Sequence, residues 1–203
     1  MNYDVLIIGA GPGGIYSAYE LTQRCPEKKV AVIEAGHALA HRHCPIDGEK
    51  VKTCIGCKTC SIMSGFGGAG AFSDGKYNIT NDFGGTLFEY IGKRQALELM
   101  RYVDEINMRY GGAGTKLYTT AGTQFKKACI QHDLHLLDAS VRHLGTDINY
   151  VVLENLYNYL KDKVDFFFDT PVEKVEIVDG GYEVVTAKET FTCEKCIISV
   201  GRS

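Results

Sequence analysis

The sequence predicts an α/β fold: a parallel sheet with helices packed on it, continued by an antiparallel β-meander and carrying inserted helices. Three observations predict it. The apolar run YDVLIIG passes directly into the glycine-rich turn GAGPGG and then into a helix-like stretch. A second apolar run, KKVAVIEAG, follows at the distance of a βαβ unit and ends on an acid. From residue 164 onward the chain reads as short strands separated by turn residues.

The first run is rich in β-branched residues and ends at a glycine, as a strand buried on both faces does. Gly9, Gly11 and Gly14 stand in the spacing G-x-G-x-x-G. In IYSAYELTQR, Ile15, Ala18 and Leu21 share one helical face, and Ala18 is small enough for close helix–sheet packing. Pro26 closes the helical region, and Glu34 ends the second strand, twenty positions after Gly14. A glycine triplet between a strand and a helix, with an acid at the end of the next strand, is a Rossmann-like dinucleotide fingerprint. Gly9 permits the tight turn, Gly11 lets backbone approach a pyrophosphate, and Gly14 lets helix meet strand. The helix N-terminus offers N–H groups to the phosphates. Glu34 accepts from a ribose 2′-OH and repels a 2′-phosphate, which disfavours NADP at this site. These residues alone do not separate FAD from NAD.

The segment CIGCKTCSIMSGFGGAGAFSDGK, residues 54–76, joins a thiol cluster to a glycine-rich loop. Cys44, Cys54, Cys57 and Cys60 form C-x9-C-x2-C-x2-C. Four thiolates can close a tetrahedral zinc site or hold an iron–sulfur cluster. A redox dithiol and structural free thiols stay open as readings. In the loop, Gly68 and Gly70 allow close approach to a ligand, Ser73 and Lys76 can donate to phosphate or flavin oxygens, and Asp74 can hold a ribityl hydroxyl or cap a turn. Cys193 and Cys196 also stand at C-x2-C, but on an extended strand positions i and i+3 face opposite sides, so they are expected to be unrelated.

The middle of the chain is expected to be a helical insertion over 86–160 within one domain spanning 1–203. RQALELMRYVDEINMRYGG places Leu99, Val103, Ile106 and Tyr110 on one face. TQFKKACIQHDL follows with Thr123 as N-cap, and DINYVVLENLYNYLKDK turns Val152, Leu156 and Tyr159 inward. Arg142 and His143, in VRHLGTD, are the candidates for binding an anionic substrate or supplying an acid; Asp147 is a candidate N-cap.

DVLIIGAGPGGIYSAYELTQRCPEKKVAVIEAG resembles the N-terminal ADP-binding motif of the two-dinucleotide-binding-domain flavoproteins. The order of strands in the C-terminal stretch, with a hairpin turn DGG at 179–181 and a last strand CIISVG, is similar to theirs. Together these imply FAD, with Val172 where that family reads the adenine through backbone groups. GFGGAGAFSDGKYNIT, the cysteines before it and VRHLGTD are especially similar to an uncharacterised family of FAD-dependent dehydrogenases. The resemblance implies a Rossmann-like FAD-binding sheet. It also implies an oxidoreductase of unnamed small-molecule substrate. NAD(P)H is a candidate electron donor and an electron-transfer partner a candidate partner; electrons passing between the thiols or a cluster and the flavin would explain why one segment carries both features. In the resembled family the last strand leads on to a substrate domain and a returning Gly-Asp segment. The chain is therefore expected to be an N-terminal fragment, incomplete at its C-terminus.

Composition narrows the alternatives. Net charge is −3 and no long basic run occurs, which argues against a nucleic-acid partner. No apolar run approaches the roughly 18 residues of a membrane helix. With eight cysteines and no secretory leader read at the start, the chain is expected in the reducing cytoplasm, where such clusters more often bind metal or cycle electrons. The second reading of function is a non-catalytic nucleotide- or metal-binding module.

Overall fold

The computed structural model describes residues 1–201. In chain order the elements are β1 (Asn2–Ile8), α1 (Pro12–Arg24), β2 (Val30–Ile33), β3 (Lys76–Ile79), α2 (Leu87–Ile91), α3 (Lys93–Asn107), β4 (Leu117–Thr119), α4 (Phe125–Gln131), β5 (Ser140–His143), α5 (Thr146–Leu160), β6 (Asp165–Phe167), β7 (Val172–Val178), β8 (Gly181–Thr186) and β9 (Thr190–Ile198). They form two compact units, Met1–Phe72 with Leu153–Ser203, and Ser73–Val152.

The first unit is a Rossmann-like α/β layer. Its six-stranded sheet has the order β6-β2-β1-β9-β8-β7. β6, β2, β1 and β9 run parallel, with Ile7 opposite Val32 and Ile197. β9, β8 and β7 are antiparallel, so the meander continues the same sheet. β1 occupies the middle of the parallel part, which is why Leu6 and Ile7 are fully buried and its sequence shows no polar alternation. The stretch expected as two short strands at the C-terminus is one nine-residue strand, β9, that pairs with β8 up to Cys193 and with β1 up to Ile198. Its last residues thus carry a partner on the β1 side only, and Ile198 is 63 % exposed.

One face of the sheet buries Tyr3, Leu6, Ile33, Val184 and Phe191 together. Phe167 meets Phe191 edge to face at 4.8 Å between ring centroids. Tyr3 donates its hydroxyl to Asp165 at 2.8 Å. Burial, and then that carboxylate, push the Tyr3 phenol well above the usual tyrosine range. Elsewhere in this unit Phe66 is fully buried against Tyr157 of α5 and Phe166 of β6, at 5.1 and 5.9 Å. Aromatic edges packed this way anchor the glycine-rich loop to regular structure.

The second unit is not purely helical. β3, β5 and β4 form a three-stranded antiparallel sheet beside α2, α3 and α4. α3 ends at a wide turn, Met108–Gly112, where Gly111 takes φ 134. Its buried residues are Ala96, Asp104, Ile106 and Asn107, while Leu99, expected inward, is 44 % exposed. The stripe is rotated because Arg142 of β5 draws Asp104 inward, donating to its two oxygens at 2.9 and 2.7 Å. The N-cap position of α4 is Gln124 rather than Thr123, whose hydroxyl accepts the Phe125 N–H at 3.3 Å from one residue further back. Asp147 falls inside the first turn of α5 rather than before it. Val152 and Leu156 of α5 are buried, as the spacing predicted.

Candidate functional site

A cleft of about 690 Å³ opens at the carboxyl ends of β1 and β2. Open parallel sheets take ligands in this position. Gly9, Gly11 and Gly13 form one wall, Glu34 and Ala35 the floor, Ser64, Gly65 and Gly68–Gly70 the opposite wall, and Thr170–Val172 with Ser199 the remaining side.

The three motif glycines differ in what requires them. Gly9 takes φ +101, and a Cβ there would stand 2.3 Å from the Ser199 carbonyl oxygen at the end of β9. At Gly14 a Cβ would stand 1.9 Å from the Gly9 oxygen, so both are needed by the chain's own backbone. Gly11 has φ −73, and a Cβ there would have only the Gly68 Cα nearby, at 3.9 Å. Nothing among the described residues forbids a side chain at Gly11; the space it would enter belongs to the cleft.

Glu34 is 7 % exposed and lines the cleft, but its carboxylate is already committed. One oxygen accepts the Ala10 N–H at 2.7 Å, and the other accepts Gly36 at 2.8 Å and Gly65 at 2.9 Å. A carboxylate offers about four acceptor sites, so one site remains for a hydroxyl. The sequence reading gave Glu34 to a ribose; the structure makes it first the tie between the glycine turn, the end of β2 and the opposite wall. Gly36 belongs to the same tie, since a Cβ there would stand 2.4 Å from the Gly65 nitrogen.

Arg42 was not singled out from the sequence. It is 2 % exposed and donates to four carbonyls: Ser61 at 2.8 Å, Ile62 at 2.8 Å, Phe66 at 2.7 Å and Gly68 at 2.9 Å. Burial lowers its pKa, opposed first by the nearby Glu34 carboxylate. Two further contacts fix the same wall: the Gly67 N–H donates to Ala10 and the Phe66 N–H to His37. The only sequence signal for Arg42 is an arginine between two histidines, which carries no pattern.

The other expected site residues divide. Gly68, Gly70 and Val172 line the cleft. Ser73, Asp74 and Lys76 fall in the second unit, where Lys76 pairs with Asp74 at 2.7 Å and Ser73 accepts the Gly75 N–H. Arg142 and His143 also belong there. Arg142, the candidate for an anionic substrate, donates to both Asp104 oxygens and to the Thr115 carbonyl at 2.6 Å, and the Asp104 hydrogen bonds hold its pKa above the ordinary arginine value. His143 is exposed on β5, opposite Lys76.

Cys44, Cys54, Cys57 and Cys60 rim one pocket of about 100 Å³. They are not drawn into a coordination sphere: among the described residues no group of three or more His, Cys, Asp or Glu side chains is arranged to hold a metal ion. Cys193 and Cys196, expected on opposite faces, are neighbours. β9 pairs with β1 in one unshifted register, Tyr3 opposite Cys193 and Leu6 opposite Cys196, and both cysteines pack against the same core. Burial first, and Cys193 second, push the Cys196 thiol up to about 11 from an ordinary 9.0. The folded state therefore keeps this proton where the unfolded chain has lost it. The stability so linked is whole below pH 9 and falls as pH rises from 9 toward 11. At pH 9 in the native state, iodoacetamide is expected to label exposed Cys44, Cys54 and Cys57 while Cys193 and Cys196 stay unmodified. Peptide mapping that finds Cys196 alkylated as fast as Cys54 would show that its partial burial does not protect it.

Residues 7–52 match a family model described as an NAD(P)-binding Rossmann-like domain. A curated relative, an uncharacterised protein of Acanthamoeba polyphaga mimivirus, is 50 % identical over 42 residues, 21 % of this chain and 8 % of that protein. Among solved structures, glycine oxidase from Geobacillus kaustophilus superposes with a TM-score of 0.53 at 15 % identity, covering 98 % of this chain and 55 % of that one. L-α-glycerophosphate oxidase from Mycoplasma pneumoniae, solved with FAD bound, gives 0.52 at 16 % identity, covering 98 % and 54 %. The chain thus spans about half the length of these structures. No helix among the described residues is long and apolar enough to cross a membrane. The strand–glycine turn–helix at the N-terminus and the sheet around it are a Rossmann-like dinucleotide-binding fold, similar to that of these oxidases.

Proposed function

We propose that the chain is the dinucleotide-binding part of an FAD-dependent oxidoreductase. The observation that carries this reading is Gly11, the motif glycine whose bareness the protein's own packing does not require. The cleft it faces would take a long, phosphate-bearing ligand, with the N-terminal end of α1 on one wall and a glycine-lined loop on the other. The flavin is favoured over a nicotinamide by the resemblance of the N-terminal and loop motifs to flavoproteins and by the shared fold with oxidases. The Gly11–Gly13 backbone would hold the pyrophosphate, the fourth acceptor site of Glu34 a ribose hydroxyl, and the Val172 backbone the adenine. When bound, FAD would accept a hydride or electron pair from a small-molecule substrate, and NAD(P)H or a separate electron carrier would complete the cycle.

The test is direct. Titration of the purified chain with FAD, followed by flavin fluorescence, is expected to saturate at one per chain. Gly11→Val is expected to weaken binding on the order of 100-fold, about 2.7 kcal/mol, while leaving the far-UV circular dichroism and melting temperature of the apo chain unchanged. Equal affinity in mutant and wild type would remove the cleft as the site. Saturation by NADH but not FAD would replace the flavin with a nicotinamide.

A further inference from the structure

We propose that Cys44, Cys54, Cys57 and Cys60 bind a single thiophilic divalent metal ion, which draws their loop closed around it. This stands independently of the flavin reading. Of the eight cysteines these four alone rim one small pocket, and its remaining walls include Ile46 and Ile55. No carboxylate or imidazole lines that pocket, so sulfur is its principal side-chain donor and the site selects for soft or borderline ions over magnesium or calcium.

The loop itself shows what the ion would supply. From Arg42 to Cys60 the chain forms no helix or strand, a length that in compact domains marks either function or a linker. Its ends are fixed. Arg42 is buried, and the Cys60 carbonyl accepts the N–H groups of Met63 and Ser64 in a turn. Asp47 ties the early part by accepting from Glu49, Lys50 and Val51 with one oxygen. Beyond that, Cys54 and Cys57 are exposed on an irregular span, with Ile55 between them 62 % exposed. Gly56 takes φ +65 between the two thiols, the left-handed turn that lets a C-x2-C pair face one point.

Without an ion to share, reduced cysteines have no reason to converge, which accounts for a rim of four without a formed coordination sphere. An ion changes that balance. Each thiol gives up its proton on ligation, and metal binding becomes loop ordering. The exposed Ile46 and Ile55 would be covered as the four sulfurs close, so burial adds to coordination.

The experiment uses the full 203-residue chain, reduced and handled anaerobically, titrated with Co²⁺. One Co²⁺ per chain is expected, with the intense sulfur-to-cobalt charge-transfer absorption and visible bands of a tetrahedral thiolate site, displaced by one equivalent of Zn²⁺. Cys54→Ser with Cys57→Ser is expected to weaken binding at least 100-fold at unchanged far-UV circular dichroism. Cys25→Ser with Cys129→Ser is expected to leave the spectrum intact. If the double variant does not fold, Cys44→Ser decides, since losing one sulfur must lower the charge-transfer intensity. Absence of the thiolate band in the wild type, its persistence in the variants, or a Cys57–Cys60 disulfide that forms in place of metal uptake would overturn the proposal.

Discussion

Replacement of Glu34 by alanine is expected to lower the melting temperature by roughly 6–12 °C and to weaken FAD binding at the same time. The first effect is the larger because of what the carboxylate holds. Ala10, Gly36 and Gly65 donate to it at 2.7, 2.8 and 2.9 Å, and these residues come from three separate segments. Removing the acceptor leaves buried N–H groups unpaired, each costing about 1–3 kcal/mol, partly relieved by water entering from the cleft. A net loss of about 3 kcal/mol converts to that shift in a chain of this size. Glu34→Gln is expected to fall between, because its amide nitrogen must face at least one N–H and cannot accept from it. Differential scanning calorimetry of the apo chains gives the answer. An alanine variant that melts like wild type yet binds FAD weakly would return Glu34 to a ribose contact alone.

The contrast between Glu34 and its neighbours shows what a sequence can disclose. The βαβ unit was legible because its signals are local: a strand without polar alternation, glycines at a fixed spacing, and a helix face within thirty residues. The role of Glu34 in ordering the opposite wall was not, because Gly65 lies thirty-one positions away and contributes only a backbone N–H. The same holds for the sheet of β3, β5 and β4. Strands of three or four residues are too short to show a period of two, and Asn78 finds Val141 only through the tertiary fold. The C-terminal hairpin at Asp179–Gly180 was legible from its turn residues, but the merging of the last two expected segments into β9 was not. That strand is held by β8 along its first part and by β1 along nearly its whole length, and its continuity comes from the overlap. Leu99 misled because helical periodicity assumes an apolar stripe, and here a buried ion pair between Asp104 and Arg142 turns the helix.

Arg42 is the residue that sequence reasoning passed over and the structure places at the centre of the loop wall. Arg42→Met, which keeps much of the volume and removes every donor, is expected to cost roughly 2–4 kcal/mol. Four carbonyls from two stretches of the loop, Ser61–Ile62 and Phe66–Gly68, converge on one guanidinium, and the ring of Phe72 stacks against it at 4.9 Å. Among the described residues no carboxylate pairs with it directly, so its stabilisation comes from these backbone oxygens and, at longer range, from Glu34. Loss of the guanidinium leaves carbonyls facing one another across a buried space, and they can recover hydrogen bonds only by admitting water and loosening the wall. The effect should therefore appear in the loop before it appears in the sheet. Hydrogen exchange at Gly67 and Gly68 is expected to accelerate in Arg42→Met while the amides of β1 and β2 lose only what the global destabilisation dictates. Arg42→Lys is expected to rescue only part of the loss, because a compact ammonium with three donors cannot span four carbonyls that a planar fork reaches at 2.7–2.9 Å. FAD affinity should follow the order wild type, lysine, methionine, since Ser64, Gly65 and Gly68–Gly70 form a wall of the cleft. Unchanged protection at Gly67 and Gly68 in the methionine variant would show that Phe66, packed between Tyr157 and Phe166, holds the wall without Arg42.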